Sequence, residues 1–178
     1  MKASSLPSRC EALNILKEAG CSTEIIEHAK KVADFALKIA EGLRRQGLNI
    51  NPHLIEVGAI LHDIGRSRTH GADHGYCGGT IACALGLPKE VVNIIERHVG
   101  AGISAEEASA LGLPNRDFIP ETLEEKIVAY ADKRIKGDRI VNCDEALEDF
   151  ARSLGYDHPA VSRLKALFTE FSLVDVDL

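Results

Sequence analysis

The run Leu61-His62-Asp63-Ile64-Gly65 closes a strongly apolar stretch that includes Val57, Ala59, Ile60 and Leu61. Two polar, metal-competent side chains in that setting cost free energy unless they hydrogen-bond within the protein or hold a cation. A His-Asp dipeptide alone is a weak signal. Its weight comes from His28, His74, His98 and Asp132, which stand at corresponding points of the flanking segments. His28 lies three residues after Ile25 and four before Val32, on the apolar face of a helical pattern, where the plainer reading is a satisfied core histidine. Asp132 stands four after Val128 and three before Ile135; a buried carboxylate requires a cation or several donors, so a Lys or Arg partner is the plainer reading. His98 continues the stripe of Val91, Ile94 and Ile95 and meets Gly100 and Gly102, where the chain can turn sharply. His74 opens His74-Gly75-Tyr76-Cys77-Gly78-Gly79, whose glycines allow close approach to a ligand or a helix. Imidazole and carboxylate together suit a divalent transition metal such as Zn, Mn, Fe, Ni or Co. Cysteine has no place in the set, which argues against a structural zinc site. His70 reads as a surface or supporting residue, and His53 and His158 as solvated helix starts.

The elements that must bring these residues together are helical. Ser8 and Glu11 read as a capping box opening a short helix to about Ala19, and a long helix runs from about Ser22 to Gln46. Asn51-Pro52 starts a third, with Gly65 expected to end it. Residues 66–75 read as loop, followed by helices from about Gly78 to Leu85 and from Pro88 to His98. The stretch from Gly100 to Pro120 is the least regular; Ile103, Leu111, Leu113 and Phe118 within it could wall a ligand or simply pack. Thr122 and Glu125 cap a helix to about Lys136, and helices near Asn142–Leu154 and Pro159–Phe171 close the chain. No alternation long enough for a strand is present. The expectation is an all-α, single-domain helical bundle over residues 1–178, with a core at about 22–139, an N-terminal helix at 8–19 and C-terminal helices at 142–171 packed on it.

With 178 residues, 45% hydrophobic and 27% charged, the chain suits one soluble domain with a substantial core. A formal charge of −6 argues against a nucleic-acid duplex as partner. Cys10, Cys21, Cys77, Cys83 and Cys143 form no Cys-x-x-Cys pair and read as reduced thiols. No apolar run approaches a membrane span, and Met1 to Arg9 has no signal-peptide core, so a cytoplasmic location without a membrane partner is expected.

The order His28, His62-Asp63, Asp132 resembles the HD superfamily of metal-dependent phosphohydrolases, which are all-helical. The resemblance spans roughly Ile25 to Arg139 and includes the local settings Glu27-His28-Ala29-Lys30, Leu61-His62-Asp63-Ile64-Gly65 and Ala129-Tyr130-Ala131-Asp132-Lys133. His74-Gly75-x-x-Gly78 followed by His98 is similar to the two-metal branch, which includes bacterial hydrolases that split diadenosine tetraphosphate symmetrically, and the whole chain is similar to small stand-alone HDIG-type proteins. The resemblance implies one metal on His28, His62, Asp63 and Asp132, with Asp63 bridging to a second on His74 and His98.

It further implies hydrolysis of a phosphate ester or anhydride in a small phosphorylated, nucleotide-like molecule, by a metal-acidified water whose proton Asp63 could accept. Where many members have lysine, this chain has Arg66, a bidentate fork suited to phosphate binding rather than acid catalysis. Arg139 is a candidate second phosphate contact. Glu24, one turn before His28, reads as a solvated first-turn acid. Two rival functions share the same ligands: a di-iron oxygenase, and a non-catalytic nucleotide-binding or regulatory module.

Overall fold

The computed structural model describes residues 5–171. Residues 1–4 and 172–178, included in the expected domain and, at the N-terminus, in the segment without a signal-peptide core, lie outside the described residues. The helices are α1 (Arg9–Glu18), α2 (Thr23–Arg45), α3 (Pro52–Leu61), α4 (His74–Ala84), α5 (Lys89–Arg97), α6 (Ala105–Ala110), α7 (Leu123–Arg134), α8 (Cys143–Leu154) and α9 (Pro159–Glu170). The architecture is all-α, apart from a two-residue antiparallel ladder pairing Ile135 with Ile140 and Lys136 with Arg139. No described helix is long and apolar enough to cross a membrane.

Local chemistry explains most boundaries. Ser8 and Glu11 form the expected reciprocal capping box on α1, Ser22 caps α2, Asn51 caps α3 ahead of Pro52, and Thr122 with Glu125 caps α7. The middle of the bundle is α3, whose Ile55, Val57, Ala59, Ile60 and Leu61 are all fully buried. It packs against α2, α5 and α7, while α1 covers it and α4 lies along α5. One hydrophobic cluster runs from Ala12 on α1 to Phe171, so the terminal helices share the core of the middle ones.

The structure departs from the sequence expectations at four places. α3 ends at Leu61 rather than Gly65, and a separate 3-10 turn covers Ile64–Ser67. Gly65 matters for a different reason: a Cβ there would stand 1.9 Å from the His74 carbonyl oxygen, so the first turn of α4 rests directly on it. α4 begins at His74 rather than near Gly78, because its buried glycines do not break the helix but let it press against α5, and packing overrides their poor helix propensity. The stretch from Gly100 to Pro120 contains α6, held by a Ser104–Glu107 capping box, and an isolated bridge between Ile103 and Phe118. The fourth departure is the short ladder after α7, which the sequence pattern does not announce.

Candidate metal centre

His62 and His98 are the first residues past α3 and α5, Asp63 follows His62, and His74 opens α4. His28 sits on α2, and Asp132 is two residues from the end of α7. All six converge at one end of the bundle. Four of them, His62, Asp63, His98 and Asp132, stand at or near helix C-termini, whose partial negative charge favours a cation.

Three of the imidazoles are oriented by the same device. His62 Nδ1 lies 2.6 Å from the Ala59 carbonyl, His74 Nδ1 2.7 Å from that of Gly71, and His98 Nδ1 2.7 Å from that of Ile95. Each carbonyl belongs to the third residue back. A ring that donates from Nδ1 turns Nε2 into the site, the arrangement that fixes metal-ligating tautomers. There His74 Nε2 and His98 Nε2 stand 3.0 Å apart and face Asp63 Oδ1 at 3.3 and 3.5 Å. Asp63 Oδ2 faces the other way, 3.6 Å from His62 Nε2. Asp132 Oδ1 is 3.0 Å from His28 Nε2 and 3.5 Å from His62 Nε2. The ligand atoms of His28, His62 and Asp132 thus form one close group and those of His62, Asp63 and His98 a second, with His62 in both.

Burial would lower the His62 pKa, but Asp63 and Asp132 outweigh it and push it up to about 9. His98, buried and beside two other imidazoles, is pushed down to about 4 despite the attraction of the Asp63 carboxylate 3.5 Å away. Burial would raise both carboxyls. The imidazoles around Asp63, and Lys133 with His28 and His62 around Asp132, overcome that and hold both well below the usual range.

These residues fit a divalent cation. His62 Nε2 and Asp63 Oδ1 are buried without a hydrogen-bond partner of acceptable geometry, even though Arg66 Nε lies 2.7 Å from Asp63 Oδ1. Neutral His74 and His98 would set two lone pairs against each other at 3.0 Å, a repulsive contact that a cation between them removes. Nitrogen and carboxylate donors without sulfur suit the transition metals expected from the sequence.

A cavity of about 480 Å3 opens over the cluster, lined by His28, Asp63 and Asp132 and by the cations Arg66, Lys133 and Lys136. Glu24 is exposed on its wall and bonds Ser22 at the start of α2. Arg139 does not reach this cavity. It lies on the exposed ladder, ion-paired with Glu145 at 3.2 Å, and lines a separate groove with Lys31 and Lys38, so the structure does not bring this expected phosphate contact to the cluster. Lys133, absent from the sequence candidates, lines the cavity instead, with Nζ 3.0 Å from Asp132 Oδ2; its position directly after Asp132 was the available signal. His70 is exposed, and His53 bonds the Pro7 carbonyl at 2.9 Å. His158 is not a simply solvated residue: it caps α9 and lies 3.8 Å from Glu107.

Comparison with known proteins agrees with this geometry. A family model described as HD domain matches residues 25–135. A Methanocaldococcus jannaschii protein described as uncharacterized is 44% identical over 162 residues, which is 91% of this chain and 95% of that one. A tRNA (cytidine(56)-2'-O)-methyltransferase of Picrophilus torridus is 38% identical over 169 residues; the match covers 95% of this chain but 48% of the methyltransferase, so the chain spans about half that relative's length. Among solved structures, the HD domain of the L. monocytogenes phosphodiesterase PgpH in complex with cyclic-di-AMP superimposes with a TM-score of 0.55 at 15% identity, covering 90% of this chain and 93% of that one.

Proposed function

Since the chain belongs to the HD-domain family, we propose that it is a metal-dependent phosphohydrolase acting on ester or anhydride bonds of a nucleotide-like molecule. The observation that carries this reading is the convergence of three carbonyl-oriented imidazoles on the single carboxylate of Asp63, beneath a cavity edged by Arg66 and Lys133. His28, His62, Asp63 and Asp132 would hold one ion, and Asp63, His74 and His98 a second. Such ions supply Lewis-acid charge and bring the pKa of a water towards neutrality.

The chain's own residues do the rest. Asp63 joins the two halves, one oxygen turned to each, and its helix-end position keeps it rigid. The imidazoles around it keep its carboxylate deprotonated, as both a ligand and a proton acceptor must be. With Nε turned to Asp63, Arg66 leaves its two terminal nitrogens for a phosphate and can make paired, charge-assisted hydrogen bonds there. Lys133, in the same cavity lining, adds a point charge. Both would stabilise negative charge growing on phosphorus-bound oxygens.

The test is to strip the chain with a chelator, reload it separately with Mn, Fe, Co, Ni or Zn, and screen for release of phosphate or nucleotide. The screen covers nucleoside phosphates, dinucleoside polyphosphates and, prompted by the ligand of the PgpH domain, cyclic dinucleotides. Metal-dependent release, lost in Asp63→Ala together with bound metal, supports the reading. Asp63→Ala with wild-type turnover and metal content overturns it. Oxygen consumption by the iron-loaded chain, without phosphate release, would favour the oxygenase chemistry instead.

A further inference from the structure

The cavity over the cluster is larger than a phosphate needs. At about 480 Å3 it falls within the range of roughly 300–1,000 Å3 usual for small-molecule sites, so an organic group fits beside the phosphate. None of Ile103, Leu111, Leu113 and Phe118, the residues expected from sequence to wall a ligand, lines it. α8 does instead. Ala146, Asp149 and Phe150, spaced i, i+3 and i+4, share one face of that helix and line the cavity together with His28, Asp63 and Asp132. α8 begins after residue 135, so this wall lies outside the part of the chain that the family model describes.

The charges in the lining divide into two sets. Arg66 and Lys133 pair with Asp63 and Asp132, the carboxylates that ions in the cluster would take up, so bound ions release both cations to meet phosphate. Lys136 pairs instead with Asp149 Oδ2, and neither of these residues belongs to the ligand set, so that pair stays closed and sums to no charge. Glu24, the other acid of the lining outside the cluster, is bonded to Ser22. Among the described residues no hydrogen bond reaches Asp149 Oδ1, and the side chain is 48% exposed, so the carboxylate is accessible. A carboxylate accepts hydrogen bonds only and repels a further phosphate; its fitting partner is a neutral donor. Around it Phe150, Ala146, Ile25 and Ile135 supply the apolar part of the lining. An acceptor beside an aromatic ring and aliphatic carbon is complementary to a nucleoside, a flat heterocycle on a sugar with hydroxyl and N–H donors and no net charge.

We infer that α8 is the selectivity wall of this site: Asp149 accepts a hydrogen bond from a hydroxyl or N–H of a nucleoside that lies along Phe150, while the attached phosphate meets the cluster. The inference rests on the proposed phosphohydrolase function for the place of the phosphate only, since recognition of the nucleoside needs no turnover.

The test compares affinities on the manganese-loaded chain by calorimetry. The probes are the 5'-monophosphates of adenosine, guanosine, cytidine and uridine, with ribose 5-phosphate and inorganic phosphate as the same anion without base or nucleoside. The variants are Asp149→Ala and Asp144→Ala, the second removing the same charge from the same helix outside the cavity lining. Metal content and thermal unfolding of both should match wild type. At least one nucleotide should bind wild type about tenfold or more tighter than either control anion. In Asp149→Ala its affinity should fall about tenfold, whereas that of inorganic phosphate holds or rises because Lys136 is released. The 2'-deoxy and 3'-deoxy forms of the tightest nucleotide then tell the two donors apart: loss of affinity assigns a sugar hydroxyl to Asp149, and unchanged affinity assigns the N–H of the base. No nucleotide bound tighter than inorganic phosphate, ribose 5-phosphate equal to the tightest nucleotide, or the same ratio in wild type and Asp149→Ala overturns the inference even if phosphate esters are hydrolysed. An equal fall in Asp144→Ala also overturns it, since long-range charge then accounts for the effect. Selective binding lost in Asp149→Ala alone, in a chain that hydrolyses no phosphate substrate, keeps the selectivity wall and removes the hydrolase reading.

Discussion

Gly58 of α3 sits directly against Ile94 of α5: a Cβ on Gly58 would lie 2.5 Å from Ile94 Cδ1 and 2.8 Å from Cγ2. Four residues on, one helical turn further along both helices, stand His62 and His98, with ring centroids 4.8 Å apart. The absent side chain therefore sets how closely the two ligand-bearing helix ends approach. The spacing of the site is decided a turn below it, in the core.

Gly58→Ala should separate a helix-propensity gain from a packing loss. Alanine in place of glycine favours the helix by about 1 kcal/mol, whereas forcing a methyl into a filled core costs about 1–3 kcal/mol. Net stability by denaturant titration should change by no more than about 2 kcal/mol, while metal affinity falls because His62 and His98 are spread. Adding Ile94→Val, which removes the nearest atom, should recover part of that affinity. Metal binding by Gly58→Ala equal to wild type would show that the crossing does not control the site.

Much of this arrangement is legible in the residues alone, and the reason is energetic. His62, Asp63, His98 and Asp132 interrupt apolar stripes, where an uncompensated polar group is too costly to be incidental. The caps at Ser8, Ser22, Asn51 and Thr122 announce their helices because short polar side chains there satisfy free amides. α4 was harder to read, since its glycines argue against a helix until the surface of α5 that they fit is known. α6 carries a legible sign in Ser104 and Glu107, but the surrounding breaks at Gly112 and Pro114 hide it. The ladder at Arg139 leaves no pattern in two-residue strands, and with it went the true orientation of that arginine, away from the cluster. Lys133 was visible in sequence but not its reach toward Asp132.

Asp63 turns one oxygen to each half of the cluster, which predicts unequal effects on metal stoichiometry. In metal-replete protein analysed by mass spectrometry, His98→Ala and His74→Ala should each lower content by roughly one ion per chain, with the His28, His62 and Asp132 group still loaded. His62→Ala should empty the His28, His62 and Asp132 group alone, and Asp63→Ala should reduce both. Wild-type protein holding one ion, unchanged in His74→Ala and His98→Ala, would mean a mononuclear centre.

Glu107 links the capping box of α6 to Arg163 on α9, and although burial opposes it, these partners hold its carboxyl below the usual glutamate value. A depressed carboxyl pKa stabilises the fold above the unfolded-state value, and that contribution is lost as pH falls through the folded one. Glu107→Gln should therefore be less stable than wild type at pH 7, by about 1–2 kcal/mol for a charge-assisted pair. The difference should shrink below about pH 4.5. Denaturant titrations at several pH values check this; a gap that is constant from neutral to acid pH would mean that the ion pair contributes nothing.

Arg66 provides the sharpest separation of phosphate chemistry from other uses of the same ligands. Its side chain is 32% exposed and lines the cavity, with Nε 2.7 Å from Asp63 Oδ1, so it touches both the cluster and the open space over it. Removing one preorganised donor from a developing oxyanion costs on the order of 2–4 kcal/mol of transition-state stabilisation, and Arg66→Ala should lower kcat/KM on the phosphate substrate accordingly. Lysine, a point charge without the fork, should restore part of the loss. Because Arg66 also leans on Asp63, the alanine variant should show a modest change in metal affinity, so the kinetics are compared at saturating metal. Oxygen-consuming chemistry on a substrate without phosphorus would have little use for a cation there. Equal kcat/KM for wild type, Arg66→Ala and Arg66→Lys under saturating metal would remove Arg66 from phosphate binding and leave it as a partner of Asp63 alone.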